Sequence, residues 1–240
     1  MKKYYKLPRI FLNHALRIGQ VIEIDNPQNH YISNVLRLKV HQYLRIFNQE
    51  NGEFLAEITG QSKKTTSVRL TETLRGPQNE SGASIAFSLI KKQRQDFLIE
   101  KCTELGVKNF YPVLTDHCEV RKTNQEKLEL QAIEAAEQCE RLTLPKIENL
   151  QKLGAFLKGW HGTIYYGIER EKAPFVSQAL SKASDSDIFL IGPEGGFSDK
   201  EKELLGKHSN AIGVNLGPNI LRAETAAIMC ASAWLLKIQA

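Results

Sequence analysis

Ile188-Phe189-Leu190-Ile191-Gly192-Pro193-Glu194-Gly195-Gly196-Phe197-Ser198 reads as a short strand, a glycine loop and the start of a helix. Four consecutive apolar residues suit a buried strand. Three glycines within five residues let the backbone approach a ligand closely and take positive φ. Ser198, with Glu201 three residues on, matches the reciprocal pattern that caps a helix N-terminus. The same strand-then-helix rhythm runs outward from this stretch. Ile85–Ile90, Phe110–Leu114, Thr163–Tyr166 and Ile212–Leu216 are strand candidates. Helices are predicted over Asp96–Leu105, stopping at Gly106, over Gln125–Glu140 with Leu128, Ala132, Ala135 and Ala136 on one face, and over Thr225–Lys237. Strands alternating with helices predict an α/β domain with a largely parallel sheet.

The first third of the chain has a different rhythm. Val21–Ile24, Gln42–Phe47, Phe54–Ile58 and Ser67–Leu70 are β-rich, with turn residues at Asp25-Asn26-Pro27, Asn51-Gly52 and Gly60. His30–Leu38 suits one short helix. A small β-barrel with a helix across it is expected over residues 1–75. Leu74–Gly82 is a linker by composition, so the second domain is expected over 76–240. Residues 1–75 carry 12 Lys and Arg against 6 Asp and Glu, whereas the rest carries 20 against 21. The whole basic excess therefore lies in the first domain. That fits a polyanion-binding platform beside a separate working domain, or simply a basic soluble one.

Composition narrows the class. Of the 240 residues 42% are hydrophobic and 25% charged, which excludes disordered, collagenous and coiled-coil chains. No apolar run approaches the roughly 18 residues of a membrane span. The basic start MKKYYK is followed by no long apolar stretch or small-residue cleavage site, so a cytoplasmic protein is expected. Cys102, Cys118, Cys139 and Cys230 are widely spaced and no histidine joins them at ligand spacing, so no metal site is expected.

Ligands of parallel α/β sheets sit beyond the carboxyl ends of strands, which puts two loops first. Gly192–Ser198 lacks the GxGxxG spacing of a dinucleotide site and the Gly-Lys-Ser/Thr of a phosphate loop. A tight turn explains its glycines but not Glu194. The second loop, Leu216-Gly217-Pro218-Asn219-Ile220-Leu221-Arg222-Ala223-Glu224-Thr225-Ala226, sets charged residues beside apolar ones before an Ala-rich helix. Thr225 or Glu224 serves there as a helix cap, and Arg222 as a surface partner of Glu224, if the loop is structural only.

Together, IGPEGGFS…E and LGPNILRAETAA resemble the bacterial small-subunit ribosomal RNA methyltransferase E family of the SPOUT superfamily. Pro8-Arg9-Ile10-Phe11, the PUA-like segment His30–Leu38, Lys101–Val107 and Glu137–Arg141 with Pro145 extend the likeness along the chain, in order. His41 stands where many members have glycine, and Asn219 where arginine is commoner. The resemblance implies an N-terminal PUA-like small β-barrel and a C-terminal SPOUT α/β domain threaded into a deep trefoil knot. It implies S-adenosylmethionine as methyl donor, no metal, a homodimer, and N3-methyluridine in 16S rRNA as product, made in the decoding region of the 30S subunit. Donor contacts fall on Tyr166, Gly167, Gly192, Glu194, Gly195, Gly196, Leu216, Gly217, Ile220, Leu221 and Thr225. Arg222 is the candidate cation for the uracil oxygens, and Glu194 or Glu224 accepts the N3 proton or orients Arg222. Arg9, Arg37, Lys91 and Arg141 are the candidate RNA contacts. A SPOUT enzyme acting on another rRNA or tRNA nucleotide, a non-catalytic RNA-binding protein, and a nucleotide-dependent enzyme using the glycine loop for phosphate are the alternatives.

Overall fold

A computed structural model describes residues 4–79, 81–169 and 172–238. Met1–Lys3 of the basic start and Glu80 of the linker lie outside these residues. The chain forms two compact units, Met1–Asn79 with Ala136–Thr143, and Glu80–Ala135 with Leu144–Ala240. The return of residues 136–143 to the first unit departs from a division at a single linker.

The first unit is a five-stranded sheet of β1 (Arg9–Phe11), β2 (Val21–Ile24), β3 (Tyr43–Asn48), β4 (Gly52–Gln61) and β5 (Thr66–Arg75), in the order β1-β3-β4-β5-β2. β1 runs parallel to β3 and the other pairs are antiparallel. Three register shifts between β4 and β5 bend the ribbon, as bulges do. The expected barrel is thus a curled sheet, open between β1 and β2. The predicted helix at His30–Leu38 starts earlier and is wider: α1 (Gln28–His30) continues as a π-turn over Tyr31–Val35. Ile10, Ile22, Ile32, Leu44, Ile46, Ile58, Val68 and Leu70 fill the core beneath them. His41 has φ +69°, which explains why glycine suits that position.

Strand β5 absorbs Leu74 and Arg75, so the linker begins at Gly76. The second unit holds β6 (Ser84–Ser88), β7 (Asn109–Leu114), β8 (Lys146–Ile147), β9 (Gln151–Lys152), β10 (Ile164–Gly167), β11 (Ile188–Ile191) and β12 (Ala211–Val214). The order is β12-β10-β11-β6-β7-β8, with β9 also on β7, and every pair is parallel. Helices are α2 (Lys92–Glu104), α3 (Gln125–Gln138), α4 (Leu153–Gly159), α5 (Val176–Ala179), α6 (Asp199–Lys207) and α7 (Ala223–Ile238). Both faces of the sheet are covered. Phe189 and Ile191 pack with residues of α2, α3 and α7, whereas Ile188 and Leu190 pack with Leu153, Phe156 and Leu157 of α4 and Leu205 of α6. That two-sided burial is why β11 is uniformly apolar. No helix among the described residues is long and apolar enough to cross a membrane.

Candidate functional site

Because β10 lies between β12 and β11 and all three are parallel, the loops after Gly167, Ile191 and Val214 leave the sheet at the same edge. The chain after β12 is tied to the segment before α5. Asn215 N–H donates to Pro174 O at 2.9 Å, and Val176 N–H donates to Asn215 O at 3.0 Å. Asn215 Oδ1 accepts from Gly217 N–H at 2.7 Å and fixes the next turn. Leu216 then lies over Gly167, where a Cβ would come within 3.2 Å of its Cδ1. Two of the three expected donor loops therefore touch.

The glycine loop is held by neighbours that its own residues do not announce. His117, in the loop after β7, places Nδ1 3.1 Å from Gly195 O and 3.0 Å from Gly196 O, and acts as donor to these carbonyls. Asp116 N–H donates to Glu201 Oε1 at 2.9 Å, and Ser198 Oγ donates to Asp116 Oδ2 at 2.6 Å. Ser198 caps α6 as expected: its Oγ accepts from Glu201 N–H at 3.3 Å, while Ser198 N–H donates to Glu201 Oε2 at 2.9 Å.

The glycines differ in purpose. A Cβ at Gly192 would lie 3.1 Å from the Phe197 ring, and one at Gly195 would lie 3.2 Å from His117 Cβ. These two make room for the protein's own side chains. Gly196 and Gly217, at φ +68° and +134°, have open space where a side chain would stand. Their bare backbone is what a ligand can approach.

Glu194 and Glu224 come together through a residue missing from the candidate set. Arg94, in the first turn of α2, donates from Nη1 to Glu194 Oε1 at 2.9 Å, and its Nε stands 3.9 Å from Glu224 Oε1. Glu224 is 8% exposed, and its Oε2 is buried with no hydrogen-bond partner among the described residues. A desolvated, unpaired carboxylate oxygen is expensive, so a donor from a water or a ligand would satisfy it there. The Arg222 side chain is exposed and makes no hydrogen bond or ion pair with the described residues. The surface pair Arg222–Glu224 is thus absent. Ile220 is 59% exposed and Thr225 is exposed, whereas Leu221 packs on the core edge; Tyr166 is half-buried.

The RNA candidates split in two. Arg37 is exposed, and Lys91 is exposed with an ion pair to Glu119 at 3.0 Å. Arg9 is buried, donating to Glu53 Oε1 at 2.6 Å and to the carbonyls of Ala136 and Arg141, with its guanidinium carbon 3.4 Å from the centre of the Phe47 ring. Arg141 is also buried, donating to Thr143 Oγ1 at 2.9 Å. Both side chains are turned to the protein's own acceptors and not to solvent. Charge counting could not tell an internal arginine from an external one. Among the described residues no cluster of His, Cys, Asp and Glu could hold a metal ion.

A family model for an RNA methyltransferase domain matches residues 77–235, and one for an RNA methyltransferase PUA domain matches 24–71. The chain is 42% identical over 226 residues to the ribosomal RNA small subunit methyltransferase E of Rickettsia conorii, covering 93% of each. It superposes with a TM-score of 0.85 and 29% identity on a Legionella pneumophila chain, described as a methyltransferase and solved with bound S-adenosylmethionine, covering 97% and 98% of the two. The corresponding enzyme of Neisseria gonorrhoeae, also solved with S-adenosylmethionine, has the same fold at a TM-score of 0.83 and 24% identity, over 95% and 96%.

Proposed function

We propose, since the chain belongs to the small-subunit ribosomal RNA methyltransferase E family, that it methylates N3 of a uridine in 16S rRNA with S-adenosylmethionine as donor. The observation that supports a donor site here is the meeting of three loops at one sheet edge, with Gly196 and Gly217 bare and Glu224 Oε2 unpaired. These features fit a ligand with a flat ring and several polar groups. On this reading Gly167, Gly196, Leu216, Gly217, Ile220 and Leu221 hold the donor, with Gly192 and Gly195 shaping the loop and Tyr166 and Thr225 at its borders. The donor supplies the methyl group.

The uridine N3 is an imide N–H and attacks only once it has lost its proton. Arg222, which pairs with no acid among the described residues, supplies a cation for the negative charge that spreads onto the uracil oxygens. One of the two carboxylates gathered by Arg94 takes the N3 proton. The remaining rate gain comes from alignment of nucleophile, methyl carbon and sulfur. Arg37 and Lys91 serve the RNA backbone. The backbone hydrogen bonds between the chain after β12 and the segment before α5 favour a trefoil knot. Phe97 on α2 and Met229 and Leu236 on α7 are 44%, 40% and 68% exposed, and these apolar side chains favour pairing of two copies in the cytoplasm.

The test is methyl transfer from labelled S-adenosylmethionine to 30S subunits, to bare 16S rRNA lacking the modification and to tRNA, followed by mass mapping. N3-methyluridine at one site is expected. Label on another nucleoside, or on tRNA alone, overturns the assignment.

A further inference from the structure

Two carboxylates meeting one guanidinium leave a negative charge uncompensated. Glu194 and Glu224 share Arg94, and no other cation among the described residues pairs with either. Lys91 is taken by Glu119, and Arg222 pairs with neither acid. The cluster is partly shielded from water, with side-chain exposures of 33%, 24% and 11% for Arg94, Glu194 and Glu224. Charges in such surroundings act more strongly than in bulk solvent. Glu224 Oε2, buried and without a hydrogen-bond partner among the described residues, leaves an acceptor open at this corner.

S-adenosylmethionine carries a positive sulfonium. Loss of its methyl group leaves a neutral thioether, with the rest of the molecule unchanged. Donor and by-product therefore differ by one methyl and one positive charge, and an apolar slot separates such ligands poorly. We infer that the Glu194–Arg94–Glu224 cluster is the device by which the site prefers the charged donor to its neutral by-product. Arg94 is the positioning residue, gathering both acids while cancelling only one of them. The inference rests on the reading that these loops bind the donor. Its benefit lies in exchanging by-product for fresh donor, not in the transfer step, because discrimination is a difference of two affinities.

Calorimetric titration of the full-length protein with S-adenosylmethionine and with S-adenosylhomocysteine tests this without any RNA. Removing one negative charge by Glu224→Gln is expected to lower the donor-to-by-product affinity ratio by at least about fivefold, the effect one ion pair at 4 Å would have in bulk water. Glu194→Gln, on the exposed loop, should lower it in the same direction. Arg94→Gln uncovers a second negative charge, so the ratio should rise even if the loosened loop weakens both ligands. Arg94→Lys should restore the wild-type ratio. Added salt should reduce the ratio in the wild type. If every variant keeps the wild-type ratio while both affinities fall together, the cluster is only scaffolding and the inference is lost. If neither ligand binds the wild type, the donor-site reading fails and takes the inference with it.

Discussion

Arg222 sits just before α7 in solvent, while Glu224, two residues on, turns to Arg94. A side chain with no partner among the described residues contributes little to stability, so Arg222→Ala should leave the melting temperature near wild type. If its guanidinium meets the uracil anion, single-turnover methylation with saturating RNA and donor should slow by about 10²–10³-fold. Lysine should rescue only in part, since it carries the charge without the planar fork. An unassisted N3 also ionises only under more alkaline conditions, so the variant's pH optimum should rise. A wild-type rate in the alanine variant would falsify this role. Arg222 and Glu194 were readable because each stands in a loop after a strand, and Glu224 because it opens the helix that follows one. Arg94 was not, for it precedes Asp96, where the helix was expected to begin. Its N-cap Lys91 makes no side-chain capping bond, so nothing in the local residues announced the true start.

At the scale of elements, α6 was the most legible, since its cap joins near neighbours in sequence. Ser198→Ala removes the oxygen that accepts from Glu201 N–H and donates to Asp116. It should lower stability by about 1 kcal/mol in urea unfolding. Strand β1 escaped notice because three residues carry no measurable period, and β8 and β9 have only two each. Their identity depends on partners far away in the chain. Helices α2 and α7 bury Cys102 and Cys230 on their core faces, and burial pushes both thiols well above their ordinary range. Cys118 is buried beside Thr115, whereas Cys139 is exposed. Alkylation of the native protein at mild alkaline pH should therefore modify Cys139 fast and the other three only in denaturant. Rapid loss of a second thiol would contradict this packing.

On the scale of the whole molecule, part of the basic excess proves to be internal. Glu53, fully buried, joins Arg9 at 2.6 Å and Arg75 at 2.7 Å, with Arg45 at 3.6 Å. Arg45 also donates to Glu140 at 2.7 Å, and that hydrogen bond holds the Glu140 carboxyl below the usual carboxylate range. A depressed folded value gives stability that is complete above the unfolded carboxyl's range near pH 4, and that fades as pH falls through the lower value. Melting curves of wild type and Glu140→Gln should thus differ at pH 6 and converge toward pH 2. RNA affinity, by contrast, should depend on the external cations. Replacing Arg37 and Lys91 with alanine should reduce the log–log salt slope by about 0.7–0.9 for each phosphate no longer neutralised. An unchanged slope would remove both from the phosphate backbone.

The bonds from Arg9 to the carbonyls of Ala136 and Arg141 also set a schedule. The first five strands leave the ribosome long before the segment that completes their unit, which spans residues 136–143. At about 5–20 residues per second, the intervening stretch takes roughly 3–12 s to synthesise. Through that interval the nascent sheet holds a buried acid and arginines whose last acceptors do not yet exist. A stalled chain with residues 1–79 clear of the tunnel should accordingly stay open to protease, and one with residue 143 also clear of it should become resistant.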